Sequence, residues 1–130
     1  MITFHLDGKS GLAPYLQIVR QVKQALRLGL LDVGDQLPTV KEVVSGLASN
    51  PNTVLKAYRD LEREGLIESR PGQGTFVMRT LAGPSLANHA ALRRDLLRWI
   101  RGAHEAGLDA ESIEALFTDT FHDALKEGVA

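Results

Sequence analysis

The sequence predicts a mainly α fold with one small β-hairpin, arranged as two modules. Three helices closed by the hairpin come first, and an antiparallel pair of helices follows. Three observations predict this. Apolar residues recur at helical spacing in five segments. Two short β-like runs, LIESR and TFVMR, flank PGQG, which combines proline and glycine as a turn signal. Gly83-Pro84 then punctuates the chain as a linker. The boundaries expected are residues 1–80 for the first module with its core at 12–80, 81–86 for the linker, and 87–130 for the helical hairpin.

Each element has its own local reason. ITFHL alternates Ile2, Phe4 and Leu6 with polar residues, as a short strand or an extended arm does. DGKSG is a turn or loop. Pro14 suits the first turn of a helix whose apolar stripe is Leu16, Val19, Val22, Ala25, Leu26 and, at its end, Leu30. DVGDQLP is a loop. Thr39 and Glu42 form a capping box for a second, short helix, TVKEVVSGLA. A third helix starts at Asn50 or Pro51 and runs to about Glu64, with Gly65 as its stop. The fourth spans roughly Ser85 to Glu105. Leu86, Ala90, Leu97 and Ile100 make one apolar line on it, widened by Leu92, Leu96, Trp99 and Ala103. Asp109 caps the fifth, which carries Ile113, Leu116, Phe117, Phe121, Ala124 and Leu125 on one side. The short break between these two makes them an antiparallel helical hairpin.

Composition narrows the function classes. The 130 residues contain no cysteine, which removes disulfides, thiolate metal sites and thiol nucleophiles and suits a reducing cytoplasm. No apolar run reaches membrane-span length, and MITFHLDGKSG lacks the layout of a signal peptide. Net charge is −1 but uneven. Residues 1–80 carry 10 Lys/Arg against 8 Asp/Glu, and residues 81–130 carry 5 against 8. A mildly basic module precedes an acidic one. No Ser/His/Asp pattern or phosphate loop marks an enzyme. His89 and His104 stand roughly 22 Å apart along one helix, too far to share an ion. His104 and His122 have no carboxylate pattern around them, so no metal or other cofactor is expected.

Three helices followed by a two-stranded wing form a winged helix-turn-helix arrangement, in which the helix after the tight turn enters the DNA major groove. The third helix supports this on its wheel. With Val54 at zero and about 100° per residue, Ala57, Tyr58 and Leu61 lie within about 60°. Asn52, Lys56, Arg59 and Arg63 fall at about 140° to 200°, on the opposite side. Such cations on an arbitrary helix mostly solvate a surface, and Asp60, Glu62 and Glu64 stand ready to pair with them. Here the acids cluster late, so the first turn (Asn50, Pro51, Asn52 and Thr53) is free of negative charge and its backbone N–H groups favour an anion. Asn50 explains itself as a cap. Asn52 and Thr53 are poor helix formers. Asn52 can read adenine through a bidentate contact, and Thr53 suits phosphate. Lys56 and Arg59 are further candidates for base contact. On the wing, Gly72 and Gly74 permit close backbone approach, with Arg70 and Gln73 in reach of phosphate or minor groove.

The stretch PYLQIVRQVKQALRLGLLDVGDQLPTVKEVVSGLASNPNTVLKAYRDLEREGLIESRPGQGTFV resembles the winged-helix domain of GntR-type bacterial transcription regulators. GDQLPTVKEV, NTVLKAYRDLEREGLI and GQGTFV stand in the family's order and spacing across about residues 12–80. NPNTVLKAYRDLE with a short two-helix tail looks most like the YtrA subfamily. The resemblance implies a homodimer on a pseudo-palindromic operator, usually a repressor, and suggests control of a nearby transporter operon. The family's DNA contacts would fall on Thr39, Lys41, Asn50, Asn52, Thr53 and Gly72 with its neighbours in RPGQG. The family usually has Ser and Arg at the positions of Thr39 and Lys41, and lysine lacks arginine's bidentate fork. Ser49 also stands where an aliphatic residue is usual.

The tail has wide apolar faces that need a partner surface. Leu92, Leu96, Trp99, Ile100, Ile113, Leu116, Phe117 and Phe121 are the expected dimerisation residues, packing on a second copy with two-fold symmetry. A small-molecule effector between tail and winged module is a further partner for which the sequence marks no ligand. The competing function from another class is a winged-helix protein-interaction module that does not bind DNA. A salt titration with duplex DNA separates the two.

Overall fold

The computed structural model describes residues 2–47, 49–83 and 89–128. The described residues form five helices and three short strands in two compact units, Met1–Leu86 and Ala87–Ala130. The first unit runs α1 (Pro14–Arg27), β1 (Gln36–Leu37), α2 (Val40–Leu47), α3 (Pro51–Arg63), β2 (Ile67–Arg70) and β3 (Gly74–Val77). The second holds α4 (His89–Glu105) and α5 (Ala110–Lys126). The expectations for Ala48, for the Pro84–Leu86 end of the linker, and for a fourth helix beginning at Ser85 with Leu86 on its stripe lie outside the described residues.

The core of the first unit is one apolar cluster. α1 gives Ile18, Val19, Val22, Ala25 and Leu26, and α3 gives Val54, Ala57, Tyr58 and Leu61, the four residues its wheel predicts. Ile18 belongs to this core although the sequence stripe omits it. Leu30 does not: it is 65% exposed, because α1 has already ended at Arg27 and the chain has turned at Gly29. Residues 2–6 are an extended arm rather than a strand. Phe4 is buried, and Ile2 and Leu6 pack beside it. The arm's polar backbone is satisfied by side chains of α1 instead of a neighbouring strand. Gln21 accepts the His5 N–H and donates to the His5 carbonyl at 2.6 Å. Gln17, itself buried, accepts the Asp7 N–H and donates to the carbonyls of Asp7 and Leu12. Such partners are what keep polar groups at low cost in a buried setting.

α3 ends in paired bonds that satisfy its last carbonyls: Leu66 N–H to Leu61 O at 3.1 Å and Gly65 N–H to Glu62 O at 2.9 Å, the pattern of a Schellman cap. The chain then enters the sheet. The expected two-stranded hairpin is in fact a three-stranded antiparallel sheet in the order β1-β3-β2. β2 pairs with β3 from Ile67↔Val77 to Arg70↔Gly74, and β1 adds Gln36↔Phe76 and Leu37↔Thr75. A two-residue strand is too short to leave a period in the sequence, and its partner is remote in the chain. In the second unit, Asp109 caps α5 by accepting the Ser112 N–H at 2.8 Å; hydrogen bonding from the Ser112 side chain, and then from its N–H, holds the Asp109 carboxyl below its ordinary range. Trp99 of α4 faces Phe117 of α5 with ring centroids 6.3 Å apart, and Phe117 stacks on Phe121 at 6.0 Å.

Candidate nucleic-acid interface

Gln36, Leu37 and Pro38 tie together the elements on which the sequence places DNA contacts. Leu37 is buried at the sheet. Gln36 Nε2 donates to the Gln73 carbonyl at the wing tip, 3.3 Å away. The Pro38 carbonyl accepts the Tyr58 hydroxyl of α3 at 2.7 Å in a buried setting. One residue later Thr39 starts α2. Its hydroxyl accepts the Glu42 N–H at 3.1 Å and donates to the Glu42 carboxylate at 3.0 Å, while that carboxylate accepts the Thr39 N–H. The capping box read from sequence is therefore formed. β1 brings Thr39 to the rim of an open hollow of ≈ 460 Å³ that it shares with Arg70, Gly72, Gln73 and Gly74 of the wing.

Burial pushes the Tyr58 hydroxyl well above the ordinary tyrosine range, with the charge of Glu42 adding to the effect. The folded pKa is raised, so this stabilisation is complete below the unfolded value of about 10 and is lost as pH rises past it. Tyr58→Phe leaves the buried Pro38 carbonyl without its partner. We expect a loss of about 1–3 kcal/mol in urea unfolding at neutral pH. The loss of stability above about pH 10 should also become shallower in the variant; an unchanged alkaline slope would count against the Tyr58–Pro38 bond.

The wing turn has a definite geometry. Gln73 N–H bonds the Arg70 carbonyl at 2.9 Å, with Pro71 second and Gly72 third at φ +75°, a type II turn. Gly74 has φ +126°, and a Cβ there would run into the Gln36 carboxamide. Gly74→Ala should therefore destabilise the first unit by about 1–3 kcal/mol, read as a lowered melting temperature.

The sequence-predicted residues divide by what already engages them. The Asn50 side chain caps α3 by accepting the Asn52 N–H at 2.9 Å, and the Thr53 N–H bonds the Asn50 carbonyl at 3.0 Å. Pro51 has no N–H. The first-turn amides expected to be free for an anion are thus occupied, and side chains are what this turn presents. Lys56 Nζ lies over the Tyr15 ring, 4.0 Å from its centroid. Arg63 pairs with Asp60 at 3.5 Å. Arg70 folds over Phe76 at 4.7 Å, with Glu68 at 3.8 Å and Met78 Sδ at 3.6 Å. By contrast the side chains of Lys41, Asn52, Arg59 and Gln73 are exposed and make no hydrogen bond or ion pair among the described residues. Tyr15, Gln36 and the hydroxyl of Tyr58 were not marked as site residues by the sequence. Their roles depend on partners 41, 37 and 20 positions away.

In the second unit, the described residues bury only Ala103. Leu92, Leu96, Trp99, Ile100, Leu116, Phe117 and Phe121 are all more than a third exposed. Leu96, Trp99, Ile100, Ile113 and Phe117 line one apolar hollow of ≈ 370 Å³. No helix among the described residues is long and apolar enough to cross a membrane.

Three helices, a tight turn and a sheet-borne wing define a winged helix-turn-helix regulator domain. Residues 14–77 match the model of the bacterial regulatory proteins of the gntR family. The chain is 36% identical over 109 residues to the HTH-type transcriptional repressor YtrA of Bacillus subtilis, covering 83% of this chain and 84% of that one. Among solved structures it is similar to YtrA from Sulfolobus acidocaldarius, described as a GntR-family transcription factor: 30% identity, TM-score 0.53, 73% of this chain and 94% of that one. It is also similar to the AraR DNA-binding domain in complex with operator ORX1: 28% identity, TM-score 0.52, 58% and 95%. The chain belongs to the gntR family, in its YtrA-like subfamily.

Proposed function

We propose that this protein is a sequence-specific DNA-binding repressor that acts as a homodimer on a pseudo-palindromic operator and has no catalytic role. The observation that carries the reading is the set of exposed side chains with no hydrogen bond or ion pair among the described residues, Lys41, Asn52, Arg59 and Gln73, on three elements tied through residues 36–38. Asn52 and Arg59 read bases, Lys41 and Gln73 contact phosphate or the minor groove, and Thr53 supports them at the start of α3. Thr39 and Asn50 serve chiefly as caps that aim these groups. The operator complex of AraR supports the same use of the fold here. The exposed apolar face of α4 and α5 supplies the surface for a second copy.

The test is selection of bound sequences from a random duplex pool, followed by a salt titration on the selected site. A two-fold-related site with half-sites roughly 34–36 Å apart is expected, with affinity falling steeply as salt rises. No enrichment, together with no duplex binding at low salt, would leave the winged unit as a protein-interaction module and end this reading.

A further inference from the structure

Three cations share the outer side of α3, and they are not equivalent. Arg63 is paired with Asp60, and Arg59 has no intrachain partner among the described residues. Lys56 is exposed, yet its ammonium sits 4.0 Å from the centre of the Tyr15 ring. Tyr15 is the second residue of α1, and its ring packs partly against the core. The chain around it is anchored: buried Gln17, two residues on, bonds the backbone of Asp7 and Leu12. α1 is in turn packed on α3 through the shared core. The ring is thus a firm platform beneath a side chain that would otherwise sample many rotamers.

We propose that Tyr15 is a positioning residue for DNA recognition. It holds Lys56 in one place so that this lysine makes one defined contact at the operator rather than sliding among phosphates. The ring covers one side of the ammonium. Lysine has three donors, so the opposite side is left to donate outward. Immobilising a lysine before binding removes an ordering cost that would otherwise fall on the complex. The gain belongs to a site where an acceptor meets the held ammonium. On random DNA a mobile lysine finds a phosphate equally well. Tyr15 therefore raises the ratio of specific to non-specific affinity without touching a base. The inference rests on the DNA-binding reading.

The experiment has two arms. In the free protein, NMR should show the Lys56 ε-methylene protons shifted upfield by the ring. That shift should persist in Tyr15→Phe and vanish in Tyr15→Leu. In the second arm, wild type, Tyr15→Leu, Lys56→Met and the double variant are titrated with the selected operator and with random duplex. Tyr15→Leu should weaken operator binding by about two- to five-fold, the scale of an exposed cation–π contact, and leave random-duplex binding unchanged. In the Lys56→Met background the same change should do nothing. Equal loss on both duplexes, or an effect that persists without Lys56, overturns the proposal and assigns Tyr15 a merely structural part. Failure of the wild type to bind any duplex overturns the DNA-binding reading itself, while the upfield shift still reports whether the ring holds the lysine.

Discussion

Replacing Trp99 and Phe117 together by glutamate should turn a dimer into a monomer and weaken binding to a two-half-site operator by about 100-fold or more. The physical case is the state of the helical unit. Among the described residues, nine large apolar side chains across α4 and α5 are more than a third exposed, and the aromatic row Trp99–Phe117–Phe121 lies among them. Water contact with such a surface is unfavourable by roughly 25 cal/mol per Å² of apolar area, and the proposed dimer would cover this face. A two-fold dimer holds one reading unit near the second half-site once the first is bound. The second event is then intramolecular, and such linkage exceeds single-site affinity by about 10²–10⁴. Sedimentation should show the change in mass. Titration against a duplex with one half-site should show no loss, because the glutamates lie outside the reading unit. A variant that remains dimeric would remove the α4–α5 face as the interface. One that binds the single half-site more weakly as well would point to misfolding.

Asn52→Ala is expected to cost about 1–3 kcal/mol at the selected operator and little on random duplex. Asn52 is exposed in the first turn of α3, and its side chain has no partner among the described residues. Its backbone N–H is held by Asn50, so the helix start survives the change. Alanine is moreover a better helix former than asparagine. Fold stability should therefore be level or slightly raised while operator affinity falls. That divergence separates a base reader from a structural residue. Equal losses on operator and random duplex would remove Asn52 from base readout.

Much of the helical framework was legible because local chemistry settles it. The Thr39–Glu42 box, the Asn50 and Asp109 caps and the Gly65 stop each need only residues within a turn or so. The wheel of α3 separated Val54, Ala57, Tyr58 and Leu61 from Asn52, Lys56 and Arg59, because burial on one side of a helix imposes its 3.6-residue period. Pro71 and Gly72 foretold the wing turn, since proline presets one torsion angle and glycine tolerates the other. Ile18 was missed and Leu30 over-read at opposite ends of the same stripe. Ile18 keeps the helical period, four residues before Val22 and eight before Leu26, whereas Leu30 is exposed because α1 ends before it.

The sequence by itself determined the five helices, the turn of the wing and the polar side of α3. These follow from torsional preference, capping and amphipathic period, all of which act over a few residues. Tertiary structure alone decided how those polar groups are held. It added β1 to the sheet, set Gln36 under the wing tip, and bonded Tyr58 to Pro38. It also placed Lys56 on Tyr15 and Arg70 on Phe76, leaving Lys41, Asn52, Arg59 and Gln73 outward. The longer of these pairings join residues 20 to 41 positions apart. No periodicity encodes a contact at such separation; it exists only once the shared core has brought α1, α3 and the sheet together.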